Sequence, residues 1–240
     1  MVTCYMCDAP ATQAAEHAPP KCFFPEKKDL PKGIDLRKNL ITVPSCDTHN
    51  LKKSKDDEYL LFVVISHFQN NNIAARQFIT KIMRAMATRP SLRHFYTATL
   101  QEVEWNGAKT HRYMPNWNRV IQTMECIARA LYFNHYKERW TVPILIDSPG
   151  FISFDRSQSE KINRTTHALA QGCDILFKGE AKHGDNPEVF YYQIHRDSTR
   201  NVVVLRMMFY EGLPVVALSA DKLYKARKGN AEQLVAPDGR

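Results

Sequence analysis

The sequence predicts an α+β fold, with a small metal-stabilised N-terminal module followed by a larger segment of helices and antiparallel strands. Two observations support this prediction: short ligand spacings of the metal-binding kind near the start, and three β-prone stretches separated by tight turns near the end. A length of 240 residues fits one small and one medium domain. We expect a module over residues 1–69, an α+β segment over 70–220 and a polar tail over 221–240.

The composition excludes two broad classes of protein. Hydrophobic residues make up 44% and charged residues 24% of the chain, which is typical of neither a disordered chain nor a membrane protein. The longest apolar run, Tyr59 to Ile65, is far shorter than the roughly 20 residues of a membrane helix. The first residues lack the basic start and apolar stretch of a secretory signal. We therefore expect a cytoplasmic protein.

The chain has a net charge of +8, and its excess of basic residues is concentrated in two stretches within about the first hundred residues. Residues 21–55 contain nine basic and four acidic side chains, a balance of +5, and residues 59–101 contain five basic and no acidic ones, another +5. The rest of the chain is close to neutral or slightly acidic. This distribution favours a polyanionic partner such as a nucleic acid.

Cysteine spacing indicates a structural zinc site. Cys4 and Cys7 form a C-x-x-C pair, and Cys46 and His49 form a C-x-x-H pair. Each short turn presents two ligands to one tetrahedral ion, and treble-clef domains divide their ligands in this way. We expect zinc on these four residues, with Cys22 as the alternative to His49.

The remaining elements are predicted from periodicity, caps and turns. Ser54 and the acids after it predict a helix that carries Tyr59 to Phe68. Residues 73–87 predict an amphipathic helix whose apolar arc holds Phe78, Ile79, Ile82, Met83 and Met86, and whose basic arc holds Arg76, Lys81 and Arg84. That basic arc either faces solvent or contacts phosphate. We further predict a hairpin over 97–105 and 108–113, helices over 117–139 and 159–171, and strands over 142–146, 189–195, 202–210 and 214–219, the last three as a meander.

Four polar residues between the zinc-ligand pairs or just after them are the candidate catalytic residues: Glu16, His17, Asn39 and Asn50. Hydrolysis of a phosphodiester needs a base that takes a proton from water and a hard cation that binds the phosphate oxygens. An imidazole such as that of His17 titrates near neutral pH. Glu16 and Asn50 offer the oxygen ligands that Mg²⁺ or Mn²⁺ accept.

The order of these elements resembles the zinc-bearing branch of the HNH endonuclease family. The matching pieces are Cys4-Tyr5-Met6-Cys7, Glu16-His17-Ala18-Pro19-Pro20, Asn39-Leu40 and Cys46 to Ser54, which together cover roughly residues 1–60. The resemblance implies a ββα-metal fold, with Glu16-His17 on the first strand, Leu40 to Val43 on the second and Asn50 on the helix.

The resemblance also implies roles. His17 would be the general base, Glu16 and Asn50 would hold the divalent ion, and Asn39 would fix its loop and orient the histidine. Lys52 and Lys53 would contact backbone phosphate. The substrate would be DNA, cut to 5′-phosphate and 3′-hydroxyl ends, and relatives of this kind act in antiviral defence. Two positions depart from the family pattern, since Glu16 stands where Asp is commoner and His49 where Cys is commoner.

Two other functions stay open at this point. One is a zinc-stabilised nucleic-acid-binding module without catalysis, and the other is an RNA-directed nuclease. Residues 70–220 carry no motif with assignable chemistry, and this segment is free to position nucleic acid, to form a homodimer or to dock a protein partner. Glu180, Lys182 and Asp185 near two glycines are interpreted as an ordinary charged loop.

Overall fold

The N-terminal part of the chain is a knuckle, a short hairpin and a helical turn. The structure is a computed structural model that describes residues 2–12, 15–50, 54–98, 100–105, 107–150 and 159–219. Strand β1 (Glu16–His17) pairs antiparallel with β2 (Thr42–Val43), so that Glu16 lies opposite Val43 and His17 opposite Thr42. The single turn α1 (Asp47–Asn50) and helix α2 (Ser54–Ile65) follow. Helix α2 begins where the sequence predicted and ends three residues before Phe68.

The helix predicted over residues 73–87 is present as three pieces. Helix α3 (Asn72–Gln77) continues into a π-helical segment (Phe78–Met83) and then into α4 (Arg84–Thr88). A turn with i→i+5 hydrogen bonds holds more residues than an α-helical turn, so the residues after it rotate away from an ideal wheel. The predicted apolar arc is therefore wrong in part: Ile82 is buried, whereas Ile79 is 66% and Met83 48% exposed.

A short helix and a hairpin come next. Helix α5 (Pro90–Ala98) was not predicted, and it includes Thr97, which had been placed in a strand. The predicted hairpin is confirmed as β3 (Leu100–Trp105) paired with β4 (Ala108–Tyr113). Gly107 has a φ of +78° in the turn, a conformation that glycine adopts without steric cost.

The long helix α6 (Trp117–Tyr136) spans the core, as predicted. The side chain of Asn116 caps it by accepting a hydrogen bond from the amide of Arg119. Its buried stripe follows the helical period and includes Val120, Met124, Ile127, Ala128 and Leu131.

A five-stranded antiparallel sheet closes the fold. The elements are β5 (Leu145–Asp147), α7 (Ser159–Leu176), β6 (His183–Asn186), β7 (Phe190–Asp197), β8 (Val202–Phe209) and β9 (Leu213–Ser219). The order of the strands in the sheet is β5-β9-β8-β7-β6, and the predicted meander corresponds to β7–β9. Strand β6 was not predicted, because its four residues include a glycine and no run of apolar side chains.

One hydrophobic cluster joins the N-terminal part to the sheet. Phe23 and Val43 belong to the same core as Phe209 and Tyr210. The rings of Phe23 and Phe209 are 5.5 Å apart, and the buried Tyr210 hydroxyl donates to the carbonyl of Phe23 at 2.5 Å. The segments on either side of the predicted boundary at residue 69 therefore share one core. Within the described ranges, no helix combines the length and the apolar composition that crossing a bilayer needs.

The buried ring of His67 makes the stability of this core dependent on pH. Both of its nitrogens are buried and, among the described residues, neither has a hydrogen-bond partner. Burial lowers the pKa of His67 below its usual value near 6.5. The unfolded chain thus binds a proton more readily than the folded one, and stability is lost as the pH falls through about 6.5.

We therefore expect the free energy of unfolding to fall between pH 7 and pH 5.5, and His67→Gln to reduce that fall. Denaturant unfolding at several pH values measures it. The exposed His111→Gln serves as the control. An unchanged pH slope in His67→Gln would contradict the assignment.

Candidate metal centre

Three cysteines and one histidine from two distant segments meet at one point. The ligand atoms of Cys4, Cys7, Cys46 and His49 all lie within 4.8 Å of one another. In the part of the chain that the structure describes, this is the one group of three or more His, Cys, Asp or Glu side chains close enough to hold an ion. The predicted ligand set is therefore brought together.

The distances within this cluster fit a tetrahedral zinc ion. Zinc bonds of about 2.3 Å to sulfur and about 2.0 Å to nitrogen place two sulfurs about 3.8 Å apart, and a sulfur and a nitrogen about 3.5 Å apart. The Sγ atoms of Cys7 and Cys46 are 3.8 Å apart. His49 Nδ1 lies 3.5 Å from Cys4 Sγ, 3.5 Å from Cys7 Sγ and 3.2 Å from Cys46 Sγ. The cluster has the dimensions of a Cys₃His zinc site.

Backbone hydrogen bonds hold the two ligand pairs in place. In the knuckle, the amide of Met6 donates to Cys4 Sγ at 3.4 Å, and the amide of Cys4 donates to the carbonyl of Ala9 at 3.0 Å. The amide of Tyr5 donates to the carbonyl of Pro44 at 2.9 Å, which ties the knuckle to the exit of β2. The amide of His49 donates to the carbonyl of Cys46 at 3.0 Å and so forms the second turn.

Cys22 lies outside the cluster. Its thiol donates to the carbonyl of Asp57 at 3.7 Å, and burial raises its pKa to about 12. The alternative in which Cys22 replaces His49 is therefore not the arrangement that the structure shows.

His17 has the properties of a neutral base. It stands on β1 beside Thr42 and is half-buried. Burial, and to a smaller extent the positive charge of Lys21, lower the pKa of His17 below its usual value near 6.5. Its imidazole is therefore uncharged at pH 7 and able to accept a proton.

Glu16 and His17 point to opposite faces of the hairpin. Neighbouring residues in a strand alternate between faces, and directly opposed residues share one. Glu16 shares the face of the buried Val43 and is itself only 5% exposed, whereas His17 shares the face of the exposed Thr42. A buried carboxylate needs polar partners or a cation to offset its desolvation.

Asn39 and Asn50 lie at the two ends of the segment that leads through β2 into the zinc turn. Asn39 has a left-handed φ of 49°, and its Nδ2 donates to Asp185 Oδ2 at 2.7 Å. Asn50 is the last residue of α1 and directly follows the ligand His49. Its amide donates to the carbonyl of Cys46 at 3.0 Å, so its backbone is fixed by the zinc turn.

The basic residues predicted to bind phosphate have different surroundings. Arg84 forms an ion pair with Asp29 at 3.2 Å, and Lys81 donates to the carbonyl of Cys22 at 3.1 Å. Both cations therefore hold the N-terminal part to α4 and the π-helical segment. Arg76 is exposed and, among the described residues, makes no ion pair. Lys52 and Lys53, like the tail 221–240, lie outside the described residues.

Four further residues hold the connection between β1 and β2, and no pattern in the sequence indicates this role. Besides Tyr210, these are Gln77, Asp185 and Asn186, which contact Cys22, Asn39 and Lys38. No motif marks these partners, because they come from α3 and β6 and meet the connection only in the folded chain. The glycine next to Asp185 was the one signal, since Gly184 marks an irregular strand.

No protein-family model, curated protein or solved structure matches the chain.

We expect purified protein to contain about one zinc per chain, and Cys46→Ser to lose most of it because a tetrahedral structural site needs all four ligands. The melting temperature of Cys46→Ser should fall by about 10 °C or more, since a structural zinc contributes several kcal/mol to folding. Metal analysis and thermal unfolding measure both.

Cys22→Ser is the matched control, because it removes a buried thiol outside the cluster. It should keep its zinc. Zinc loss in Cys22→Ser as complete as in Cys46→Ser would show that the ligand set is wrong.

Proposed function

We propose that the protein is a metal-dependent endonuclease of the HNH type, which hydrolyses phosphodiester bonds in DNA. The observation that carries this proposal is the position of His17, a neutral and half-buried base on a hairpin whose second strand leads directly into the zinc turn. A resident zinc would fix that turn, and with it Asn50, relative to the hairpin. The order of two strands, zinc turn and helix is the one expected of a ββα-metal nuclease.

His17 would act as the general base. Its lowered pKa keeps the ring nitrogen free to take the proton of an attacking water at pH 7. Lys21, whose charge reaches the imidazole, also disfavours a protonated resting state and offers a positive charge to a phosphate oxygen. Activity should therefore persist to lower pH than an unperturbed histidine would allow.

Glu16 and Asn50 would hold the catalytic divalent ion. Carboxylate and amide oxygens suit Mg²⁺ or Mn²⁺, and a bound ion would offset the charge that develops on the phosphate oxygens. Glu16 and His17 face opposite sides of the hairpin. A phosphate that contacts both His17 and an ion on Glu16 must therefore lie at the end of the β1–β2 ladder, which is only two residue pairs long.

The substrate class rests on charge and on the family resemblance. Two stretches of +5 enclose or follow the site, which favours a polyanion. DNA as the substrate, a cytoplasmic location and a role in antiviral defence are proposed from the resemblance together with the sequence. The alternatives to DNA cleavage are cleavage of RNA and nucleic-acid binding without cleavage, and the experiments below distinguish these three functions.

We expect wild-type protein with Mg²⁺ or Mn²⁺ to nick supercoiled plasmid, EDTA to stop the reaction, and His17→Ala to slow it about 100-fold or more, since a general base contributes about 10² to 10⁴. Asn50→Ala should also abolish cleavage. Both variants should keep their zinc. Gel assays of plasmid conversion with metal analysis measure these effects.

His111→Ala is the control, because it removes an exposed imidazole of β4 that is outside the proposed site. Zinc-loaded wild type that binds DNA but nicks neither DNA nor RNA under any of these cations would contradict the nuclease and favour a binding module. Cation-dependent cleavage confined to RNA would instead identify an RNA-directed enzyme.

We also expect Arg76 and Arg84, which lie on either side of the π-helical segment, to have different roles. Arg76→Ala should weaken DNA binding and lower the salt slope by about one, because Arg76 is exposed and forms no ion pair with any described residue. Arg84→Ala should chiefly lower stability, because it breaks the ion pair with Asp29. Fluorescence anisotropy at several salt concentrations, with thermal unfolding, distinguishes them, and equal loss of affinity in both variants would contradict this assignment.

A further inference from the structure

The long connection between β1 and β2 is held by side chains from the later part of the chain. Gln77 Nε2 donates to the carbonyl of Cys22 at 2.7 Å, and the buried Tyr210 hydroxyl donates to that of the next residue, Phe23. Farther along, Arg84 pairs with Asp29. The connection thus runs over a surface built by α3, α4 and the sheet.

Two adjacent residues of β6, Asp185 and Asn186, form hydrogen bonds with the end of the connection next to β2. We call this pair the β6 clamp. Asp185 Oδ2 accepts the hydrogen bond from Asn39 at 2.7 Å, and Asn186 Nδ2 donates to the carbonyl of Lys38 at 3.0 Å. Asn186 is 6% exposed, so this second bond is shielded from water. The two bonds fix consecutive residues just before β2, one of them in a left-handed conformation.

Strand β6 is shaped to present this clamp. Its pairing with β7 is irregular between His183 and Asn186, and Gly184 within that stretch has a φ of +129°. A Cβ at Gly184 would lie 2.9 Å from the carbonyl oxygen of Phe190, so only glycine fits there. On the other side, the ring of His183 lies 4.8 Å from that of His135 in α6, which anchors the strand.

We propose that the β6 clamp positions the Asn39 end of the hairpin, so that the later sheet is part of the machinery that aligns His17. The proposal rests on the proposed function for its effect on cleavage. Asn39 lies three positions before the first residue of β2, and the β1–β2 ladder itself has only two residue pairs. A ladder so short needs an external support to keep one geometry. Asp185 and Asn186 are positioning residues, since they act through Lys38 and Asn39.

The test compares three variants of the full chain. Asp185→Ala removes the acceptor for Asn39. Asp185→Asn keeps an oxygen that accepts the same hydrogen bond, without the charge. Glu180→Ala removes a nearby exposed acid whose side chain, among the described contacts, does not reach the connection. Since Asp185 is exposed, its replacement should leave the fold and the zinc content intact, which thermal unfolding and metal analysis check.

The rate of amide hydrogen exchange in peptides covering residues 36–43 measures how firmly the β6 clamp holds the connection, and it needs no cleavage assay. Loss of one hydrogen bond should speed exchange there by about threefold to tenfold in Asp185→Ala. Asp185→Asn should recover most of the protection, and Glu180→Ala should match wild type. In plasmid cleavage, kcat of Asp185→Ala should fall about tenfold with KM within about twofold, and Asp185→Asn should recover it.

Unchanged exchange over residues 36–43 in Asp185→Ala would overturn the clamp. Faster exchange with unchanged kcat would also overturn the proposal, because the contact would then be structural only. If wild-type protein cleaves nothing, the proposed function fails, and the exchange comparison alone decides whether the clamp holds the connection.

Discussion

The rest of the structure depends on the convergence of two short ligand pairs that lie about forty residues apart in sequence. A two-pair ladder between β1 and β2 is too short to fix a hairpin by its own hydrogen bonds. A metal ion on Cys4, Cys7, Cys46 and His49 would close the chain around that ladder and set the direction in which α1 and α2 leave it. The placement of Asn50 directly after a ligand follows from the same constraint.

Much of the fold could be predicted from the sequence because the relevant signals are local. The spacing of Cys4 and Cys7 needs only a tight turn, and the stripe from Val120 to Leu131 needs only a regular helix. The predictions were wrong where a non-local or irregular contact decides the outcome. The π-helical segment turned Ile79 and Met83 outward, and no period of the sequence reports an i→i+5 turn.

The candidate site likewise has features that could be predicted from the sequence and features that could not. The family resemblance implied that Glu16 and His17 lie on the first strand, and both residues are in β1. Their burial could not be predicted, since it depends on which face of the hairpin meets the core. Two cations predicted to contact phosphate have protein partners in the folded chain: Lys81 donates to the carbonyl of Cys22, and Arg84 pairs with Asp29. A positive charge count records how many cations a chain has, and folding decides how many remain available.

The contact between Phe23 and Tyr210 has a consequence for the order of assembly during synthesis. These residues are 187 positions apart, so a segment translated early obtains part of its packing only from strands translated much later. Contacts of such long sequence separation form late, because closing the intervening chain costs entropy before the contact stabilises anything. A nascent chain that has not yet reached β8 and β9 lacks the Phe209 ring and the Tyr210 hydroxyl that contact Phe23. The hairpin that bears His17 is therefore translated early and completed late, so an unfinished chain cannot contain the finished site.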